Sequence, residues 1–99
     1  MEVYVVRYDD IKQDDTGVSI HLTEKGALLL AIDWLASDFD DWYTTDEENN
    51  AALRAKSEEL WKNKEDSSIM DLYIIKMWFE EQLEGASVHC NINKQAIAI

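Results

Sequence analysis

The sequence predicts an α+β fold in which a small, mostly antiparallel sheet packs against about three helices, in the order ββαααββ. Apolar residues alternate with a period of two near both ends of the chain, and they recur every three or four residues through its middle. No internal repeat is visible, and the chain contains no proline that would mark a linker. We therefore expect one domain, 1–99, with a single modest core.

The N-terminal segment predicts a β-hairpin. Val3–Tyr8 is filled with β-branched and aromatic residues on both faces, which is typical of a strand in the middle of a sheet. An acidic connection, 9–17, ends at Gly17, and Val18–Leu22 then alternates with a period of two. We expect two strands joined by an acidic loop.

The first helix is predicted to start after Thr23, a favourable N-cap residue, and to end near Asp40 and Asp41. Apolar residues at spacings of three and four give it one stripe, formed by Leu28, Ile32, Leu35 and Phe39 and joined by Ala31 and Trp34. That stripe should face the core.

The second helix has the clearest start signal. Thr45 and Glu48 have the spacing of a capping box, and the helix should run to about Lys64. Its apolar stripe is thin and consists of Ala52, Leu53, Leu60 and Trp61. This pattern predicts an outer helix with most of its surface in water.

The third helix is predicted from Ser68, with Asp71 three residues later, to Leu83, before Gly85. Apolar residues cover most of its circumference, namely Ile69, Leu72, Tyr73, Ile74, Ile75, Met77, Trp78, Phe79 and Leu83. The pattern favours a central helix covered on two sides, and makes it the best core candidate.

Apolar and polar residues alternate again in the C-terminal segment, but the apolar residues change from even-numbered to odd-numbered positions. Val88, Cys90 and Ile92 share one parity, whereas Ile97 and Ile99 have the other. We expect either two short strands joined at 93–94 or one strand with a bulge there.

The charge of the chain limits its partners. Twenty-one acidic residues against nine basic ones give a formal net charge of -12. Phosphates of nucleic acids and anionic lipids would be repelled, so direct binding to DNA, RNA or membranes is not expected. The partner that suits such a surface is a basic protein or nucleoprotein complex, although the charge can also serve solubility alone.

The compartment is predicted to be the cytoplasm. No apolar run approaches the roughly 18 residues of a membrane span, and the N-terminal residues show neither a basic nor an apolar signal region. Cys90 is the single cysteine, which excludes an internal disulfide. We expect it to pack as a small apolar side chain.

No motif in the sequence predicts an enzyme, a cofactor or a metal site. Three glycines cannot form a phosphate-binding loop, and carboxylates are too abundant for any pair to indicate acid–base catalysis. An EF-hand counted from Asp38 would need glycine at Tyr43 and glutamate at Asn49. His89 and Cys90 are adjacent and point to opposite faces of a strand. A weak Ca²⁺ or Mg²⁺ site in the acidic segment 38–46 is the one metal site that we keep as an alternative.

The strongest functional signal is the distribution of charge. Between Lys25 and Arg54 there is no basic residue. The predicted partner-binding residues in that interval are Asp38, Asp40, Asp41, Trp42, Asp46, Glu47 and Glu48. A second acidic group comprises Asp9, Asp10, Asp14 and Asp15 on the hairpin. Trp42 either anchors a partner or closes the corner between two helices.

In size, acidity, lack of a catalytic motif and α+β layout, the chain resembles phage-encoded anti-CRISPR proteins and DNA-mimic anti-restriction proteins. The resemblance implies an inhibitor that occupies the basic nucleic-acid groove of a bacterial defence complex in the host cytoplasm. One alternative is an immunity or antitoxin-like protein that blocks a basic nuclease toxin. Another is a structural or regulatory homodimer formed around Ile74 and Trp78 of the third helix.

Overall fold

A computed structural model of the protein describes residues 1–10, 15–42, 47–86 and 88–97. The strands are β1 (Glu2–Asp10), β2 (Asp15–His21) and β3 (Val88–Ala96), and the helices are α1 (Glu24–Trp42), α2 (Glu47–Asn63) and α3 (Ile69–Gln82). Short 3₁₀ turns, Lys64–Asp66 and Glu84–Ala86, follow α2 and α3. The predicted α+β class is confirmed.

The sheet has the order β2-β1-β3, and both pairings are antiparallel. Strand β1 is central, as its apolar residues on both faces predict. Val6 and Tyr8 are buried in the main core under the helices. Val3 and Val5 lie on the other face and are buried as well, since the neighbouring strands flank them on both sides.

The hairpin strands are longer than the sequence predicts. Pairing continues through Tyr8↔Gly17 to Asp10↔Asp15, so most of the expected acidic loop belongs to the ladder. Gly17 also packs under Trp34, and a Cβ there would lie 3.1 Å from two ring atoms. Backbone pairing and this contact override the low strand propensity of Asp and Gly. Residues 11–14 lie outside the described part.

The C-terminal segment is one strand, and the predicted pair of short strands or bulge is not found in the described residues. Its pairing with β1 keeps one register from Asp10↔Val88 to Glu2↔Ala96, and Ile97 N–H still donates to the Met1 carbonyl at 2.7 Å. The side chains of 93–96 are exposed. Because neither face is buried there, the change of apolar parity imposes no break.

Helix α1 is the central helix of the fold. The Gly26 N–H donates to Thr23 Oγ1 at 3.0 Å, which confirms the predicted cap. The predicted stripe Leu28, Ile32, Leu35 and Phe39 is fully buried. It contacts the sheet and both other helices, so α1 takes the core position that the sequence assigned to the third helix.

Helix α2 is an outer helix, as predicted. Ser57 is the buried residue among its described side chains, and Leu53 and Leu60 pack against the core only in part. Trp61 is 47% exposed. The expected cap residue Thr45 lies outside the described residues.

Helix α3 starts where predicted, since the Asp71 N–H donates to Ser68 Oγ at 3.2 Å. Leu72, Ile75 and Phe79 are buried, but the opposite face is exposed. The prediction that α3 is covered on two sides by the rest of the chain is therefore wrong. Three strands make a sheet about 10–15 Å wide, and a helix with its side chains is about 10 Å across. With α1 over the centre, α3 is left at the edge.

Aromatic rings join α1 to α3. Phe39 lies 5.6 Å from the Trp78 ring and 5.8 Å from the Phe79 ring, measured between centroids, and the Phe79 contact is edge-to-face. Trp78 and Phe79 also meet edge-to-face at 5.0 Å. Such pairs add about 0.5–1.5 kcal/mol each to the burial of their surfaces. This cluster fixes the edge position of α3.

Candidate binding surface

Helices α1 and α2 form an antiparallel pair held by polar contacts. Asp33 Oδ1 accepts a hydrogen bond from Trp61 Nε1 at 2.9 Å and an ion pair from Lys64 Nζ at 3.2 Å. Near the start of α1, Lys25 Nζ donates to the Glu65 carbonyl at 2.7 Å. The end of α2 is thus tied to the first half of α1, and the chain between the helices lies at the other end.

Lys64 is the least exposed partner in this contact. Its side chain is 8% exposed, whereas that of Asp33 is 46% exposed. The Lys64 ammonium also lies 4.9 Å from the centroid of a Trp61 ring, over its face. Asp33 is therefore the group that compensates a nearly buried positive charge and orients the indole.

A groove of about 500 Å³ lies between the two helices. Its walls carry Asp33, Ala36, Ser37 and Asp40 from α1, and Ser57, Glu58, Trp61 and Lys62 from α2. The exposed part of Trp61 gives the groove an aromatic wall. A long side chain with a positive end would find both apolar area and carboxylates there.

The negative charge of the groove is concentrated toward the end of α1. Asp33 is compensated by Lys64, whereas Asp40 and Glu58 are exposed and line the groove. Asp33 and Asp40 are two helical turns apart, about 10 Å along the axis. Lys62 adds one positive charge to the α2 wall.

Four of the predicted residues belong to the last turn of α1 and the first turn of α2. Asp40 and Asp41 are exposed in the last turn of α1. Glu47 and Glu48 open α2, although their side chains, like that of Trp42, lie outside the described residues. Asp46 lies outside them entirely. We call Asp40, Asp41, Glu47 and Glu48 the acidic end of the α1–α2 pair; Glu58 lies about 16 Å further along α2, on the wall of the groove.

Asp38 differs from its neighbours because it is buried, at 7% exposure. Its Oδ2 has no hydrogen-bond partner. Burial raises the pKa of its carboxyl, and the charge of Asp41 raises it further. The cause is helical geometry, since Asp38 follows Trp34 by four residues and Ala31 by seven, and both face the core.

Within the second acidic group, the structure describes the side chains of Asp9 and Asp10. Asp9 is exposed on the face of β1 that also carries Val3 and Val5, away from the helices. Asp10 is buried at the end of the strand. Asp15 opens β2 with its side chain outside the described residues, and Asp14 lies outside them altogether.

Sequence reasoning missed two residues of the groove, Glu58 and Trp61. They are three residues apart on α2, so they lie on one helical face. Trp61 was assigned to the apolar stripe of this helix. An antiparallel arrangement of the first two helices would have placed both residues opposite 33–40, and the short connection between those helices was the available signal.

Among the described residues, no three His, Cys, Asp or Glu side chains form a group that could hold a metal ion. No helix in the described part of the chain is long and apolar enough to cross a bilayer. Comparisons with protein-family models, curated proteins and solved structures find no match. The function must therefore be inferred from the surface itself.

Proposed function

We propose that this chain is an inhibitory binding protein that docks its acidic end onto the basic nucleic-acid-binding surface of another protein and keeps nucleic acid away from it. The observation that carries the proposal is the exposure of Asp40 and Glu58 around a groove with an aromatic wall. Charge provides attraction, and the groove provides a place for an inserted side chain.

The whole chain favours this encounter. Its formal net charge of -12 produces a long-range field that attracts a basic surface and accelerates association at low ionic strength. Duplex DNA carries about one negative charge per 1.7 Å of helix axis. Asp40 and Glu58, on opposite walls of the groove, offer a basic protein two exposed carboxylates that can take the place of phosphates.

Trp61 supplies contact area that carboxylates lack. Buried aromatic residues dominate the energy of many interfaces, and tryptophan is among the most frequent hot-spot residues. Trp61 is already oriented by its hydrogen bond to Asp33, so little conformational freedom is lost when a partner covers it. An arginine or lysine side chain is the expected occupant.

The resemblance to anti-CRISPR and anti-restriction proteins makes bacterial defence complexes the first target class to test. A basic nuclease toxin offers the same surface chemistry. The identity of the bound partner distinguishes these two targets, because the electrostatic argument applies equally to both.

The test begins with capture. Tagged wild-type protein is incubated with bacterial lysate at about 50 mM salt, where screening is weak, and bound proteins are eluted with rising salt and identified by mass spectrometry. The purified partner is then loaded with labelled duplex DNA or RNA, and displacement is measured. We expect the wild type to displace the nucleic acid, with an affinity that falls as salt increases.

The charge-reversal variant Asp40→Lys, Asp41→Lys, Glu47→Lys should bind at least ~10-fold more weakly with a flatter salt dependence. The control variant Asp66→Lys, Asp71→Lys, Glu84→Lys changes the net charge equally at exposed sites that do not line the groove. It should keep most of the affinity. Equal losses in the two variants would contradict a local binding surface, and unchanged displacement by the first would exclude the acidic end.

A further inference from the structure

Helix α3 has two apolar faces, and the described chain covers only one of them. Met70, Tyr73, Ile74 and Met77 occupy positions i, i+3, i+4 and i+7 and form a continuous stripe. Their exposed fractions are 74%, 38%, 59% and 57%. The buried stripe of the same helix points to α1 from the opposite side. We call the exposed stripe the α3 face.

The four residues of the α3 face are uncharged in a strongly acidic protein. Lys76 and Glu80 of the same helix compensate one another in an ion pair. The exposed Glu81, in contrast, lies four residues after Met77, at the C-terminal end of the stripe. The Tyr73 hydroxyl donates to Glu24 Oε1 at 2.8 Å, which fixes the ring at the edge of the stripe. Glu24 and Glu81 lie at the margins of the face, so most of its area offers a partner apolar contacts instead of charge.

The α3 face has the ridges and grooves that are typical of a helix-packing interface. A shallow cavity of about 190 Å³ is lined by Ile74, Met77, Trp78 and Glu81. Side chains spaced in this way form a ridge that fits the grooves of a second helix. Met and Tyr are enriched in the centres of protein interfaces, where charged residues are depleted.

We propose that the α3 face binds a second copy of the chain, helix against helix, about a two-fold axis. The four side chains expose roughly 500 Å² of mostly apolar surface, near the upper limit for the largest patch on a typical monomer. Together with the flanking Ile69 and Trp78, each copy offers roughly 600 Å², so a dimer can bury about 1,200 Å² in total, the lower end of the range for stable interfaces.

Two-fold symmetry suits this face. A two-fold axis supplies an identical uncharged stripe opposite the first, and homodimer interfaces are more apolar than transient ones.

The dimer leaves the acidic end of each copy accessible. Helix α2 contacts α1 through Asp33, whereas α3 contacts it through Glu24 and Phe39, on another side. The α3 face points away from α1. The dimer thus presents two acidic ends, and its existence does not depend on the proposed inhibition.

Sedimentation velocity over a concentration series tests the proposal, with Ile74→Glu as the variant and Ile20→Glu as the matched control. Both isoleucines are similarly exposed, at 59% and 65%, but Ile20 lies on the outer face of the sheet. We expect a dimer for the wild type and for Ile20→Glu. Ile74→Glu should raise the dimer dissociation constant at least ~100-fold, because two carboxylates would be buried at the axis.

Circular dichroism and urea unfolding of each variant show whether it is folded. Ile74→Cys and Ile20→Cys provide a second readout that requires no loss of folding. Oxidation should link two copies through position 74 and not through position 20, while buried Cys90 does not interfere. A monomeric wild type, a dimer retained by Ile74→Glu, or linkage through position 20 alone would overturn the proposal.

Discussion

Replacing Asp33 by alanine tests the polar contact that holds α2 against α1. Asp33 accepts from both Trp61 and Lys64. Without the Asp33 carboxylate, the Trp61 indole N–H has no acceptor, and the Lys64 ammonium group, whose side chain is 8% exposed, has no counter-charge. The groove that we propose as the binding surface depends on this contact.

The magnitude follows from the unequal exposure of the two partners. A hydrogen bond to a charged acceptor contributes about 1.5–3 kcal/mol, and a buried unpaired charge adds to its loss. Because Asp33 is itself 46% exposed, water already screens part of the attraction, and the lower part of the range applies. We expect Asp33→Ala to lower the free energy of unfolding by about 1.5–2 kcal/mol.

The same asymmetry makes the reverse variant milder. Lys64→Met keeps an apolar stem against Trp61 and leaves a carboxylate that water can solvate. Its loss should be about 1 kcal/mol, close to that of a cation–π contact. Adding Lys64→Met to Asp33→Ala should recover part of the stability, because the double variant contains no buried unpaired charge.

Urea unfolding at neutral pH, followed by far-UV circular dichroism, measures all three variants. The reasoning predicts that Asp33→Ala is the least stable and that the double variant lies between the two single ones. If Lys64→Met is as destabilising as Asp33→Ala, or if the two effects simply add, the contact does not compensate a buried charge and our account of the groove is refuted.

Three further predictions concern Asp38, Gly17 and Cys90. Burial and the charge of Asp41 raise the pKa of the Asp38 carboxyl in the folded state. The contribution of this carboxyl to stability is therefore complete below its unfolded pKa and is lost as the pH rises through its folded pKa. In urea unfolding, Asp38→Asn should be more stable than the wild type at neutral pH and equal to it near pH 3. Gly17→Ala should destabilise by about 1 kcal/mol, because its Cβ would lie 3.1 Å from the Trp34 ring; a stabilised variant would contradict this contact. Burial raises the pKa of Cys90 to about 11, so its reaction with an aromatic disulfide near pH 8 should be at least ~100-fold slower than in the urea-unfolded chain.

Local signals in the sequence predicted the parts of the fold that depend on neighbouring residues. Thr23 and Ser68 cap α1 and α3 as expected, since an N-cap needs only a side-chain acceptor near the first turn. The stripe from Leu28 to Phe39 is buried, and β1 is central because apolar residues fill both of its faces.

The role of α3 could not be predicted in the same way. Its two apolar faces are alike in sequence, and tertiary packing decides which one the chain covers. Phe39 of α1 selects the face with Phe79 and leaves Ile74 exposed. The parity change after Ile92 was equally ambiguous, because a strand with exposed side chains tolerates either parity.

The candidate site was predictable in part. Asp40 and Asp41 are exposed, as a binding role requires, whereas Asp38 shares a buried helical face that its spacing from Trp34 already indicated. The contribution of Trp61 depends on the antiparallel packing of α1 and α2, which is a tertiary feature. The run of acidic residues thus predicted exposed carboxylates at the end of α1 but did not indicate the groove residues of α2.

Carboxylate footprinting tests the central claim most directly. In the complex with the captured basic partner, exposed Asp and Glu side chains are labelled with a carbodiimide and an amine and located by mass spectrometry. The proposed function predicts protection of Asp40, Asp41 and Glu58, with unchanged labelling of Asp66 and Asp71. Protection of Asp66 and Asp71 with full labelling of the acidic end would contradict it.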